Sequence, residues 1–310
     1  MELPHDLVRT LLAAVDEGTF DAAAASLHLT PSAVSQRIKA LEQRTGRVLL
    51  TRTKPIRPTE SGEVVVRFAR QLAALEQAAR LDLGLADDDG GGGGDDASRT
   101  AARLPVVVNA DSLATWFLPA LTRMPQHPPV CFELLREDEG HSAALLREGR
   151  VMAAVTSSAE PVAGCTVRPL GRARYLPVAT PEFRDRHLLP GPLSRRLPRA
   201  PVVVYDRRDE LQDRFVRRLT RGRAQAGPLR HYVPASEGYR DAVAAGLGWG
   251  LVPDIQAVPL LDTGTLVELA PGRHLDVPLY WQQWKLDTPP LAAVTTAVVT
   301  AATELLHPPA

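Results

Sequence analysis

The stretch Ala22–Leu50, AAAASLHLTPSAVSQRIKALEQRTGRVLL, decides the architecture. A helical run ends near Leu27; Thr30 is then a good N-cap and Pro31 a good first residue for a second helix. On that second run Val34, Ile38 and Leu41 recur at core-facing spacing, while Ser32, Gln36, Lys39 and Gln43 fall on the far side. A helix that buries one narrow stripe and presents a hydroxyl, amides and a cation fits a DNA major groove; alone, it would more often be an ordinary surface helix. Its neighbours favour the groove. The preceding run, Phe20–Leu27, is too short to stand alone and is joined by a turn of a few residues, the helix-turn-helix arrangement. Residues 28–57 carry Arg37, Lys39, Arg44, Arg47, Arg52, Lys54 and Arg57 against the single acid Glu42, a local charge of +6 that suits phosphate contacts. Val48–Leu50, followed by Thr51, Arg52, Thr53, Lys54 and Pro55, reads as a short hairpin or wing beside the same duplex.

Working outward, Leu3–Asp16 is a helix with an apolar stripe of Leu7, Leu11 and Val15, broken by Glu17-Gly18-Thr19. After the wing, Thr59 caps a helix over residues 60–85, with Glu60 and Glu63 in its first turn. Val65, Phe68, Leu72, Leu75 and Ala79 form a seam at spacings of three and four, which calls for a second copy of the chain, the alternative being packing against its own domain. Residues 86–103 contain Asp87-Asp88-Asp89, five glycines and Asp95-Asp96, the composition of a flexible tether. No Lys-Ser or Lys-Thr follows the glycines, so they do not read as a phosphate loop.

The string SAVSQRIKALEQRTGRVLLTRT, with RPTESG behind it, resembles the winged helix-turn-helix of the LysR-type transcriptional regulators, and is most similar to their ArgP/LysG branch. The resemblance implies an α-helical winged helix-turn-helix at 1–59 and a dimerisation helix at 60–85. It further implies a two-lobed α/β effector domain at 104–310, similar to type 2 periplasmic binding proteins. The chain would cross between lobes near Pro169–Arg174 and Leu269–Asp276, giving lobe I about 104–170 and 276–310 and lobe II about 174–270. The long Asp/Gly segment departs from the family, whose hinge is usually short. In the resembling family, Ser32, Gln36 and Lys39 would meet bases or nearby backbone. Thr30, Ser35, Arg37, Arg52, Thr53, Arg57, Pro58 and Thr59 would lie along the phosphates, and the partners would be operator DNA, a second or further copies of the chain, and RNA polymerase.

The residues of this region agree with an α/β body. Strand-like runs at Val106–Asn109, Val130–Leu135, Val151–Thr156, Tyr175–Ala179, Val202–Tyr205, Arg230–Val233, Gly250–Val252, Leu266–Leu269 and Leu279–Trp284 alternate with helical ones, which argues for largely parallel sheets. The helical runs are Leu113–Thr122, His141–Glu148, Leu211–Leu219, Tyr239–Ala245 and Leu291–Leu306. A ligand would sit between lobes, at strand ends and helix starts. Ser112, Thr156 and Ser236 are placed to hold a carboxylate; Asp111, Asp138, Asp206 and Glu237 could hold a cationic end. Each could equally be a helix cap or a solvated loop residue. The resemblance implies an effector, L-lysine or L-arginine, and control of basic amino acid export or metabolism; another metabolite is the alternative.

Composition sets the remaining bounds. At 310 residues and 45% hydrophobic, with 36 basic against 36 acidic side chains, the chain has room for two or three cores and no global charge to draw it to nucleic acid or membrane. No apolar run reaches a bilayer span and no leader pattern opens the chain, so a cytoplasmic protein is expected. Cys131 and Cys165 have no metal or redox spacing and read as buried small hydrophobes. An enzyme fused to a DNA-binding head is the contrasting reading. It lacks a nucleophile elbow, a glycine-rich cofactor loop and clustered histidines, so neither cofactor nor metal is expected.

Overall fold

Short capped helices wrap the first core. In the computed structural model, which describes residues 2–51, 53–83, 101–125, 129–137 and 139–309, α1 (His5–Asp16), α2 (Phe20–Ser26) and α3 (Pro31–Thr45) pack around Leu11, Val34, Ile38 and Leu41. Thr30 Oγ1 accepts from the N–H of Ala33 and Pro31 fills the first helical position, so the start of α3 is fixed by its own residues. Gly46, at φ 64°, ends it in the left-handed region. Strands β1 (Leu50–Thr51) and β2 (Arg57–Pro58) pair as the wing. Glu42 Oε1 accepts from the N–H groups of Leu49 and Leu50, tying the wing to α3. The one acid of the basic segment is therefore engaged in structure, which leaves the cations around it unneutralised.

Linker helix α4 (Glu60–Asp82) follows. Val65, expected in the self-pairing seam, is instead buried at 7% exposure in the head core with Val66 and Ala69, because that side of the helix faces α1. Its outer side carries Val64, Phe68 and Leu75, at 55%, 40% and 42% exposure, with Leu72 half-buried and Ala79 exposed. The exposed apolar side of the helix thus begins at Val64. Most of the Asp/Gly tether lies outside the described residues, but Ala102 and Arg103, read as tether, already belong to the first strand of the next unit.

That unit has two lobes joined by a continuous sheet. In lobe I, β3 (Ala102–Val108) pairs in parallel with β4 (Val130–Arg136) and β5 (Ala153–Thr156). Helix α5 runs through Ala110–Ser112, a π-helical turn at Leu113–Phe117 and Leu118–Leu121; α6 is Glu139–Arg147. The crossings are strands, not connecting loops. β6 (Cys165–Ala179) and β11 (Leu275–Trp284) run antiparallel from Leu275↔Tyr175 to Trp284↔Cys165, so each strand passes from one lobe to the other. The sheet is consequently mixed, not largely parallel, with order β10-β6-β11-β5-β3-β4 and β9 also on β6.

Lobe II adds α7 (Pro181–His187), α8 (Leu193–Arg196), β7 (Val202–Val204), α9 (Leu211–Thr220), β8 (Arg230–Tyr232) and α10 (Ser236–Ala244). It closes with β9 (Gly250–Pro253), α11 (Asp254–Asp262) and β10 (Val267–Glu268). β7 and β8 pair in parallel. Helix α12 (Pro289–Leu305) returns to lobe I, where Leu291, Val294 and Val298 join Val106, Phe117 and Trp281 in its core. Arg174 and Asp276, paired across the crossing strands through two hydrogen bonds at 2.9 and 3.1 Å, brace the junction. Cys165 is buried as expected, and burial pushes its thiol up to about 11. Cys131 is exposed, because it alternates with Val130 and Phe132 onto the outward face of β4.

Candidate DNA interface and effector cleft

On the head, the structure places Thr30, Ser32, Gln36 and Lys39 in solvent on one side of α3, with Ser35 and Arg37 half-buried at its flanks. Thr30 Oγ1 and Ser32 Oγ lie 3.0 Å apart, so the first turn of α3 offers a paired hydroxyl. The Arg37 guanidinium reaches back 3.4 Å to Thr10 of α1, which draws it away from that face. In the wing Thr53 and Arg57 are exposed, but the Thr53 hydroxyl donates to Pro55 O. Thr59 is committed to structure: its hydroxyl donates to Val48 O and accepts from the N–H of Gly62, capping α4. Pro58 is half-buried in β2, and Arg52 lies outside the described residues. The exposed cations and amide of α3 beside a basic wing can grip phosphates and read a major-groove edge together.

Between the lobes lies a cleft of about 1090 Å³, more than one amino acid fills. Its centre is Asp111. Held by the first turn of α5 in lobe I, its carboxylate accepts from Ser236 Oγ of α10 at 2.6 Å and from the Tyr175 hydroxyl of β6 at 2.7 Å. Burial raises its pKa above the ordinary carboxylate value; those two hydrogen bonds partly offset the rise, and the charges of Asp209 and Glu237 add to it. Opposite, Asp209 accepts from the N–H groups of Leu211 and Tyr205, and burial raises its pKa as well. Two acceptor oxygens on cleft-lining residues, Asn109 Oδ1 and Gln212 Oε1, are buried with no hydrogen-bond partner among the described residues. Unmatched buried acceptors beside two disfavoured carboxylates form a site short of donors.

The ionisable lining is mixed: Asp111, Glu137, Asp206, Asp209 and Glu210 against Arg136, Arg208 and Arg214. That balance suits a ligand with one carboxylate and more than one cationic group. The sequence candidates divide accordingly. Asp111 lines the cleft and Ser236 binds it; Asp206 lines the cleft while its Oδ1 accepts from the N–H groups of Arg208 and Asp209. Ser112 and Thr156 are buried outside the lining, and Thr156 Oγ1 accepts from Ser158 N–H. Glu237 is exposed and acts on Asp111 only through its charge; Asp138 lies outside the described residues. Sequence reasoning missed Asp209, Gln212, Tyr175 and the three arginines. The pair Asp206 and Asp209 flanking Arg207-Arg208, just after a buried three-residue strand, is the signal that could have found Asp209 and Arg208; the others carry no such local mark.

A winged helix-turn-helix head, a long helix with an unpartnered apolar side and a two-lobed cleft define a DNA-binding regulator governed by a small molecule. The chain belongs to the LysR family: residues 5–63 match the bacterial regulatory helix-turn-helix protein of that family and residues 97–303 its LysR substrate binding domain. It is similar to ArgP from Mycobacterium tuberculosis, whose crystal structure superposes with a TM-score of 0.89 at 44% identity over 100% of both chains. It also resembles full-length LysG from Corynebacterium glutamicum with bound effector Arg, at TM-score 0.80, 39% identity and coverage of 99% and 100%. The curated LysG of that organism, a lysine export transcriptional regulatory protein, is 42% identical over 305 residues, 96% of this chain and 98% of its own. The chain is accordingly a LysR-type transcriptional regulator of the ArgP/LysG branch and not an enzyme.

Proposed function

We propose that the interlobe cleft binds L-arginine or L-lysine, and that its occupancy controls transcription of genes for export or metabolism of basic amino acids. The observation that carries this reading is the donor-poor centre: Asp111 and Asp209, both disfavoured as anions, beside the unmatched oxygens of Asn109 and Gln212. A guanidinium or ammonium supplies the missing donors and the missing charge, while an arginine of the cleft takes the α-carboxylate. The Arg bound to the related LysG supports the same class. No cofactor enters this scheme; the small molecule is the signal.

Ser32, Gln36 and Lys39 read base edges in this proposal, with Gln36 suited to adenine. Thr30, Ser35, Thr53 and Arg57 face phosphates, and Arg52 is assigned to the phosphates from its sequence position alone. The Val64, Phe68, Leu72, Leu75 and Ala79 side of α4 pairs with a second copy, and further contacts build tetramers that bend the operator and present it to RNA polymerase in the cytoplasm. Calorimetric titration of the full chain with each of the twenty amino acids tests the effector. Binding confined to arginine and lysine is the expected result. Saturable binding of glutamate or an apolar amino acid alone refutes it, and the former would point to Arg136, Arg208 and Arg214 as the governing charges.

A further inference from the structure

Linker helix α4 lies against lobe I, and its polar contacts there concentrate on one end of α6. Arg67 donates to the carbonyl of Arg147 at 3.3 Å, and Arg70 donates to the carbonyl of Glu148 at 3.0 Å. These carbonyls end α6, where the helix dipole favours cations, and Arg67 and Arg70 are three residues apart on one side of α4. The same Arg70 binds Asp16 at the end of α1, 2.5 Å away, so one guanidinium touches both the DNA-binding head and the effector domain. Gly149 lets the helix in: at φ 74° it turns the chain after α6, and an added Cβ would stand 3.0 Å from Arg67 Cα. The other end of α6 points back toward the cleft along the chain, since Arg136 and Glu137, which line the cleft, come shortly before Glu139, where the helix begins.

We propose that α6 is the coupling element of this regulator: a ligand that engages Arg136 or Glu137 displaces one end, and Arg67 and Arg70 carry the displacement to the head. Leu145 and Leu146 hold α6 on the lobe I core, so it moves as a unit with the strand end that feeds it. Arg70 is a positioning residue that touches no ligand and no DNA. The assignment rests on the cleft being the effector site, and the test separates the two.

In the full-length chain, arginine binding is titrated with and without operator DNA for the wild type, Arg70→Ala and Gly149→Ala, which disturb opposite sides of one contact. Linkage makes the effect reciprocal. Operator should change wild-type arginine affinity about fivefold or more, and each variant should bring that factor close to one while its affinity without DNA stays within about twofold. A second readout places spin labels at Asp21 of α2 and Arg195 of α8, both exposed, in a Cys131→Ser background diluted with unlabelled chain. The label distance should be narrow in the wild type and broad in both variants. Undiminished coupling in both variants, or an unchanged distance distribution, overturns the proposal. If the wild type binds no arginine, the effector reading falls by itself; the label distances then decide the α4–α6 contact, and a distribution unchanged in both variants overturns it.

Discussion

Replacing Asp111 with Asn separates the two things this carboxylate does. Asn keeps the shape, and the hydroxyls of Ser236 and Tyr175, 2.6 and 2.7 Å from the carboxylate oxygens, can each donate or accept, so both contacts survive. The buried charge is lost. Because the folded pKa of Asp111 is raised above its unfolded value of about 3.9, the folded chain holds a proton that the unfolded chain releases, and wild-type stability falls as pH rises through that window. Asp111→Asn should remove this slope and melt higher at neutral pH. Binding should move the other way. One charge-assisted hydrogen bond to the ligand contributes about 1.5–3 kcal/mol, so arginine affinity should drop about 10- to 150-fold. Wild-type affinity should also decline as pH falls through the raised pKa, since a protonated carboxyl no longer attracts the guanidinium; the variant should lack that acid limb. Calorimetry and thermal melts of the full chain across a pH series measure both. A variant that binds arginine as tightly as the wild type, or that melts lower at neutral pH, refutes the role given to Asp111.

Gln36→Ala combined with Lys39→Ala should weaken operator binding by about 1–3 kcal/mol per lost base contact while leaving arginine binding intact, read by fluorescence anisotropy at fixed salt. Arg57→Gln should lower the slope of log affinity against log salt by about one, and an unchanged slope would place Arg57 in bulk solvent. Gly62→Ala should destabilise the head by at least about 1–3 kcal/mol, because its Cβ would stand 1.9 Å from the backbone oxygen of Leu49; a melt matching the wild type would contradict the packing of α4 on the wing. Asp276→Asn tests the lobe junction in acid. The Arg174 hydrogen bonds hold the Asp276 pKa below the ordinary value, so its contribution is present above the unfolded pKa and disappears as pH falls through the lowered one, and the variant should lack that part of acid destabilisation.

Local signals were legible and long-range ones were not. Thr30 and Pro31 announce α3 with no help from the rest of the fold, and the nine apolar strand runs all lie in or beside strands. The crossings were placed near Pro169–Arg174 and Leu269–Asp276, but their being long paired strands escaped, because Arg168, Arg172 and Arg174 break the apolar pattern of β6 and its pairing partner lies about a hundred residues away. Helices α7, α8 and α11 were missed: α7 and α8 are too short to show an apolar period, although Thr180 and Pro181 repeat the Thr-Pro start of α3, and α11 contains Pro259, which reads as a break. The phase of the α4 seam was ambiguous because Val64, Val65 and Val66 are consecutive, and only packing against α1 decides which of them faces outward. In the cleft, Asp111 and Ser236 could be named from strand-to-helix transitions. Asp209 sits in a loop whose backbone N–H groups make it resemble an ordinary cap, and its second role depends on Asp111 arriving from lobe I, about a hundred residues earlier in the chain.

The make-up of the cleft bears on how a small ligand can act on so large an assembly. Two buried acids with raised pKa values and two unmatched amide oxygens make the interlobe centre a place where the folded chain gives up stability. A neutral or anionic ligand recovers little of it, because it brings neither the charge nor the donors. On the proposed assignment, a basic amino acid recovers it in proportion to the number of donors delivered, and does so fully only when both lobes contribute, since Asp111 belongs to lobe I and Asp209 and Gln212 to lobe II. Binding is therefore tightest in a particular lobe geometry, and that differential affinity is what allows an effector to shift an equilibrium between arrangements of the regulator. Crossing strands braced by Arg174 and Asp276 make the lobes two bodies with a defined axis, so a preference for one geometry reaches the elements packed outside the cleft.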